Sequence, residues 1–158
     1  EIVPSIGLAW TKVNGSLQLD DWAFDLVSSG GSDTDSDGMA DSWEVEHFGS
    51  VLGTGVGSNF DGDAWTDWQE YVADTDPKNV ASGFNVTIPG GPATQRLYIG
   101  PPTTNSRVYQ VFWSSNIMSG SWLPYTPATA GHADGSAIEV LATNNVPAGY
   151  YRVRVAIP

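Results

Sequence analysis

The sequence predicts a mainly β fold with a small α part, an antiparallel β-sandwich joined to a pair of acidic loop-helix units. Two patterns in the chain of 158 residues lead to this prediction. In the C-terminal half, apolar and polar side chains alternate along five or six short segments, as they do in half-buried strands. In the middle of the chain, acidic residues crowd together beside two short stretches with helical spacing of their apolar residues. The chain has no cysteine, which excludes disulfide scaffolds, zinc-thiolate sites and thiol catalysis.

The N-terminal residues 1–31 are predicted to form strands. Residues 8–13 and 17–21 flank Asn14-Gly15, a pair typical of a two-residue hairpin turn, and Trp22, Phe24 and Leu26 continue the strand character. Two strands rarely stand alone, so this hairpin either completes the sandwich or is the tail of a preceding domain. We prefer the tail, because Glu1 follows no initiator methionine or signal segment and we expect a processed or excised piece.

The negative charge lies in one segment. Residues 33–76 hold 12 of the 18 acidic residues and no Lys or Arg, while the rest of the chain has 6 acids and 6 bases, so this segment accounts for the whole formal charge of −12. Carboxylates at this density repel one another, and the interleaved aromatic residues argue against disorder, so bound cations are the best explanation. A strongly acidic chain is a poor partner for nucleic acid, and no stretch is typical of a membrane span.

The first part of this segment has the spacing of an EF-hand loop, with acids at alternate positions and a glycine, Gly38, at the sharp turn in position 6. The predicted ligands at positions 1, 3, 5, 7, 9 and 12 are Asp33, Asp35, Asp37, the Met39 carbonyl, Asp41 and Glu44. Oxygen ligands without His or Cys favour calcium over transition metals, and about six protein oxygens favour it over magnesium.

A second copy follows with two departures. Its predicted ligands are Asn59, Asp61, Asp63, the Trp65 carbonyl, Asp67 and Glu70. Asn59 is neutral where the first loop has an aspartate, and Ala64 replaces the turn glycine, which costs about 1 kcal/mol if position 6 needs a positive φ. We therefore expect two Ca²⁺ ions, the second bound more weakly.

Each loop leads into a short amphipathic helix, so that residues 32–80 form a tandem pair of loop-helix units. The first helix is predicted over residues 42–48, with Gly49 ending it. The second is predicted over residues 66–73, before Asp76-Pro77. Neither loop is preceded by a helical pattern.

Residues 33–79 resemble the bacterial thrombospondin type 3-like calcium repeats of secreted multidomain proteins. The resemblance rests on the runs DTDSDGMADSWEVEHFGS and NFDGDAWTDWQEYVADTDPKN. It implies an extracellular or cell-surface calcium-binding module of a bacterial protein, with neighbouring domains of the parent protein as partners. It also implies second-rank ligands at Asp74 and Asp76, around the closing Thr-Asp-Pro element. Dockerins have similar loop pairs, but only one of the four positions that would contact a cohesin carries the expected hydroxyl residue, Ser42.

Residues 81–158 are predicted to form the sandwich. The alternating segments are Phe84-Val86-Ile88, Leu97-Ile99, Tyr109-Val111-Trp113, Ile138-Val140 and Tyr151-Val153-Val155-Ile157. The runs RVYQVFWSSNIMSGSWLPYT and GYYRVRVAIP resemble the C-terminal sandwich that follows such repeats, which is distantly similar to fibronectin type III.

We expect no enzymatic activity. The chain has two histidines, His47 and His132, and no motif that places a serine against either of them, nor a phosphate-binding loop. The predicted function is a non-catalytic extracellular calcium-binding structural or spacer module. Two alternatives stay open: a carbohydrate-binding module of a polysaccharide-degrading enzyme, suggested by seven tryptophans, and a self-associating surface filament or adhesion subunit.

Overall fold

The fold is described by a computed structural model that covers residues 5–13, 16–25, 31–87, 95–100, 102–116, 118, 121–142 and 150–158. Within these residues it is mainly β, with nine strands in two antiparallel sheets and two short helices. The strands are β1 Ser5–Val13, β2 Ser16–Asp25, β3 Val86–Thr87, β4 Gln95–Ile99, β5 Val108–Ser114, β6 Leu123–Pro124, β7 Thr129–Ala130, β8 Ile138–Ala142 and β9 Tyr150–Ala156. The predicted fold class is confirmed.

The larger sheet has six strands in the order β2-β1-β9-β5-β6, and β7 also pairs with β5. Strand β9 lies at its centre, between β1 and β5. Its alternate residues Tyr151, Val153 and Val155 are buried, as the period-2 pattern predicts. The short strands β6 and β7 were not predicted, because two residues are too few to show an alternation.

The N-terminal hairpin is part of this sheet. Strand β1 pairs with β9 from Ser5 opposite Ala156 to Thr11 opposite Tyr150. The sequence left two placements open for the hairpin. The pairing with β9 makes it part of the sandwich and not the tail of a preceding domain, which we had preferred. Val13 and Ser16 are partners across the hairpin, as a two-residue turn requires, although the turn residues 14 and 15 and Leu26 lie outside the described residues.

The smaller sheet, β3-β4-β8, shares one apolar core with the larger one. Leu97 and Ile99 of β4 are buried in the same cluster as Tyr109 and Val111 of β5. Ile88, predicted to continue β3, lies outside the described residues.

The two helices lie close to where the sequence places them. Helix α1 spans Asp41–Phe48 and ends at Gly49, whose φ of 78° and N–H bond to the Val45 carbonyl form a left-handed C-cap. Helix α2 spans Asp67–Ala73 and begins with a capping box between Thr66 and Gln69. Both predictions are confirmed to within one residue at either end.

The loop-helix pair packs on the core of the sheets. Met39 of the first loop is fully buried, and Trp68 and Val72 of α2 are buried in the same cluster as the strands. Trp43 of α1 meets Tyr71 of α2 edge-on, with ring centroids 5.2 Å apart. The acidic segment is therefore continuous with the β-sheet core.

Candidate metal centres

The structure brings three acids of the first loop together. One carboxylate oxygen from each of Asp33, Asp35 and Asp37 lies within 4.8 Å of the other two. The loop folds this way because Asp33 accepts hydrogen bonds from the N–H groups of Asp37, at 3.2 Å, and Gly38, at 3.0 Å. Gly38 has a φ of 91°, which glycine adopts without steric cost.

A second triple forms one repeat later. Carboxylate oxygens of Asp61, Asp63 and Glu70 lie within 4.8 Å of one another. Here a residue of the loop's helix joins two residues of the loop itself. The structure thus contains two acidic clusters whose chemistry fits a metal ion.

The two loops share a hydrogen-bond framework that recurs with the sequence repeat. In the first, the N–H of Thr34 donates to Asp41 Oδ1 at 2.7 Å; in the second, the N–H of Phe60 donates to Asp67 Oδ1 at 2.9 Å. The N–H of Asp41 and that of Asp67 donate, at 2.8 Å each, to the carbonyls of Ser32 and Ser58 respectively. This equivalence supports the alignment of the degraded second loop with the first.

The position-12 glutamates have equivalent environments. Glu44 is 0% exposed and Glu70 1% exposed. In each, Oε1 accepts a hydrogen bond from a threonine hydroxyl, Thr54 at 2.9 Å and Thr75 at 3.2 Å. In each, Oε2 is buried and has no hydrogen-bond partner.

Six carboxylate oxygens in the two loops are buried without a hydrogen-bond partner among the described residues. They are Asp35 Oδ1, Asp37 Oδ2 and Glu44 Oε2 in the first loop, and Asp61 Oδ2, Asp67 Oδ2 and Glu70 Oε2 in the second. A buried acceptor without a partner costs about 1–3 kcal/mol, and more if it is charged. A cation bound at each loop would give such oxygens a partner. Of the residues that carry them, Asp35 and Asp37 belong to the first acidic cluster and Asp61 and Glu70 to the second, whereas Glu44 and Asp67 belong to neither.

Burial and mutual repulsion disfavour the ionised forms of these acids. The pKa values of Asp37, Glu44 and Asp67 are raised, first by desolvation and then by the neighbouring carboxylates. The same causes raise the pKa of Glu70 to about 8. Without a cation, these four acids therefore take up protons at a higher pH than free carboxyl groups do.

Two predicted ligands, Asp41 and Asn59, have side chains that form hydrogen bonds within their loops. Both carboxylate oxygens of Asp41 accept hydrogen bonds from Thr34. The side chain of Asn59 accepts from the N–H of Gly62 and donates to the Asp63 carbonyl. At position 7, the N–H of Met39 donates to Asp37 Oδ1 at 2.9 Å and that of Trp65 donates to Asp63 Oδ1 at 2.5 Å. The carbonyl oxygens of these two residues stay predicted ligands.

The second-rank candidates point elsewhere. Asp74, in a left-handed conformation at the end of α2, accepts a hydrogen bond from Ser106 at 2.6 Å and lies 3.5 Å from Arg107. Asp76 is exposed and accepts from the N–H of Lys78. Through these two contacts, Asp74 connects the end of α2 to the residues that precede β5.

The expected strain at Ala64 is not found. The non-glycine residues with positive φ in the described part of the chain are Ser36 and Asp74, so Ala64 does not adopt the conformation that would penalise alanine. The left-handed residues common to both loops are instead at position 4, Ser36 with φ 62° and Gly62 with φ 77°. At position 6 the loops differ, because Gly38 has a φ of 91° and Ala64 does not have a positive φ.

A histidine and a serine meet outside the loops, although no sequence motif predicted this. His132 Nδ1 lies 2.5 Å from Ser136 Oγ, and Asp134 accepts a hydrogen bond from the N–H of Ser136. In a hydrolytic triad the imidazole stands between the acid and the serine. Here Ser136 contacts both partners, and all three residues are exposed on one loop.

Sequence reasoning missed Thr54, Thr75 and Arg107. The threonines lie outside the 12-residue ligand pattern, and Arg107 lies 37 residues beyond Glu70, so local spacing carries no signal for them.

In comparisons with known proteins, no family model, curated protein or solved structure matches the chain. Among the described residues, neither helix is long and apolar enough to cross a membrane.

Proposed function

We propose that the chain is a non-catalytic structural module that binds two Ca²⁺ ions outside the cell and holds neighbouring domains of a larger protein in a fixed arrangement. The observation that carries this proposal is the set of six buried carboxylate oxygens without partners, three at each of two equivalent loops. A solvated acidic surface would leave such oxygens exposed to water.

Calcium is the cation that best fits the donor set. All the side-chain donors are oxygens, which excludes a preference for soft metals. Each loop has several carboxylates, and the EF-hand spacing predicts a position-7 carbonyl as a further ligand, which together are more protein oxygens than magnesium accepts in place of its waters. Extracellular modules of this kind bind calcium at about 10⁻⁴ to 10⁻³ M, and such sites fill outside a cell.

Calcium would act as a cross-link in a chain without disulfides. Gly38 of the first loop packs against Trp68 of α2, since a Cβ added to the glycine would lie 3.1 Å from the indole nitrogen. Met39 and Trp68 are both part of the buried core. Ordering the loops around ions would therefore also order the core that they share with the sheets.

We also propose that the second site binds calcium more weakly than the first, although only one of the two sequence arguments for this still applies. Ala64 no longer supports it, because its φ is not positive. Asn59 still does: the residue is neutral, and its side-chain oxygen already accepts the N–H of Gly62 at 2.7 Å.

Calorimetry on the chelator-stripped chain tests the proposal. Calcium should bind at two sites, and Glu44→Gln and Glu70→Gln should each remove one of them because each replaces a buried charged oxygen. Glu46→Gln is the matched control, since Glu46 is exposed on the same helix as Glu44 and should change neither site. No heat and no shift of the thermal midpoint with calcium would refute the proposal. Equal affinities for the site that remains in Glu44→Gln and the site that remains in Glu70→Gln would refute the asymmetry.

A cleft favours carbohydrate binding as a second candidate. It has a volume of about 560 Å³, lies between the sheets and is lined by Tyr109, Tyr125, Thr126 and Glu139 among others. Aromatic, hydroxyl and carboxylate groups together suit a sugar. Glycan binding that is lost in Tyr125→Ala while calcium binding persists would support this candidate, and the absence of any glycan signal would refute it.

A further inference from the structure

Arg107 joins the second loop-helix unit to the β-sheet. It directly precedes β5 and is only 7% exposed. Its Nε donates to the carbonyl of Val72 and its Nη2 to the carbonyl of Tyr71, each at 2.7 Å. A guanidinium presents its donors in a rigid fork, so these two bonds fix the direction of α2 as well as its distance from the sheet.

The carbonyls of Tyr71 and Val72 are free to accept hydrogen bonds from Arg107 because α2 ends just after these residues. The carbonyls of the last turn have no N–H partner within a helix. The N–H of Thr75, four residues after Tyr71, donates instead to Glu70 at 3.0 Å, and that of Asp76, four residues after Val72, donates to Ser82 at 2.9 Å. Arg107 thus caps the end of α2 from another part of the fold.

The capped turn adjoins a cation ligand. Tyr71 directly follows Glu70, whose carboxylate meets Asp61 and Asp63 in the second cluster. A rotation of the last turn of α2 would move Glu70 out of the cluster. The end of α1 is held differently, by Gly49 and its N–H bond to Val45. The ion pairs Arg96–Glu139 and Arg107–Asp74 involve neither α1 nor the first loop.

We infer that Arg107 is a positioning residue for the second cation site: it anchors the end of α2 on the sheet so that Glu70 faces the other ligands. This inference rests on the proposed function, because it concerns the affinity of the same site. It also implies that cation binding at the second loop and docking of α2 on the sheet stabilise each other. The first site depends on Arg107 less, because its loop meets α2 at Trp68, near the start of the helix.

The direction in which calcium affinity changes when Arg107 is replaced distinguishes a positioning role from a purely electrostatic one. If Arg107 acted only as a nearby positive charge, its removal would raise the affinity for a divalent cation, because like charges repel. If it positions Glu70, removal lowers the affinity. A substitution that keeps the stem and removes the charge, Arg107→Met, therefore gives opposite results under the two explanations.

The experiment measures calcium affinity by calorimetry on the whole chain in two backgrounds. Glu44→Gln isolates the second site, and there Arg107→Met should weaken calcium binding about tenfold, consistent with the loss of charge-assisted hydrogen bonds. Glu70→Gln isolates the first site, and there Arg107→Met should change affinity by less than about twofold. Arg96→Met, at an exposed pair with Glu139, is the control and should have no effect in either background.

Arg107→Lys keeps the test decisive if the methionine variant does not fold, as judged by near-ultraviolet circular dichroism. Lysine retains the charge but lacks the fork, so it should give an intermediate loss at the second site. Unchanged or increased affinity at the second site, or equal losses at both sites, would overturn the inference. Failure of the unaltered chain to bind calcium would instead overturn the proposed function itself, so the two failures are distinguishable.

Discussion

At the scale of single residues, the buried acids decide what the loops can do. Glu44 and Glu70 each combine one oxygen bonded to a threonine with one that has no partner. The sequence predicts both glutamates from their position in the loop, because a short spacing rule fixes which side chains face inward. It does not predict Thr54 or Thr75, since many hydroxyl residues nearby could reach the same oxygen.

The raised pKa of Glu70 predicts how the metal-free chain responds to pH. Its folded pKa of about 8 lies above the ordinary value of 4.5, so the folded state holds a proton that the unfolded state releases. The stabilisation is complete below the unfolded pKa and is lost as pH rises through the folded pKa. Burial also raises the pKa values of Glu44, Asp37 and Asp67.

Urea unfolding in a chelator should therefore give a lower free energy of unfolding at about pH 8.5 than at about pH 5. Saturating calcium should remove this decrease, because the ion stabilises the ionised carboxylates. The Glu70→Gln variant, which lacks the group with the largest shift, should show a shallower decrease in the chelator. A metal-free chain that becomes more stable as pH rises over this range would contradict the assignment of protons to these sites.

At the scale of the elements, the two loops share one left-handed position that is occupied by different residues, while position 6 is left-handed only in the first loop. Position 4 is left-handed in both, and it is Ser36 in the first loop and Gly62 in the second. A non-glycine residue in this region carries a steric cost of about 1 kcal/mol. The backbone strain is therefore in the first loop, at Ser36, although that loop has the complete ligand pattern. The sequence motif alone does not show this.

Glycine exchanges measure this strain. Ser36→Gly should raise the free energy of unfolding in calcium by up to about 1 kcal/mol, and Gly62→Ala should lower it by about the same amount. Ala64→Gly should give no gain, because Ala64 does not need a positive φ. Urea unfolding of the three variants checks these values. Stabilisation by Ala64→Gly together with no effect of Gly62→Ala would show that the left-handed residue of the second loop is at position 6, which would contradict this account.

At the scale of the whole molecule, the local parts were predictable and the long-range contacts were not. The period-2 segments locate β5, β8 and β9, and the loop spacing with Gly49 locates the helices, because these signals lie within about a dozen residues. The pairing of β1 with β9 joins residues 139 to 151 positions apart, and the bonds of Arg107 to α2 span 35 and 36 positions. Sequence spacing does not encode such partners.

The contacts across the molecule make the acidic segment part of the fold. Met39, Trp68 and Val72 lie in one cluster with residues of both sheets. If ions order the loops, they should also stabilise the sheets, and the chain should unfold as a unit in calcium. This is the arrangement that a spacer between other domains would need.

The most direct test is a crystal structure of the whole chain grown in millimolar calcium, with anomalous difference density measured at both loops. We predict two peaks, one beside Asp35, Asp37 and Glu44 and one beside Asp61, Asp67 and Glu70, each about 2.3–2.6 Å from their oxygens. Well-ordered loops with the same carboxylate arrangement and no anomalous peak at either position would contradict the account.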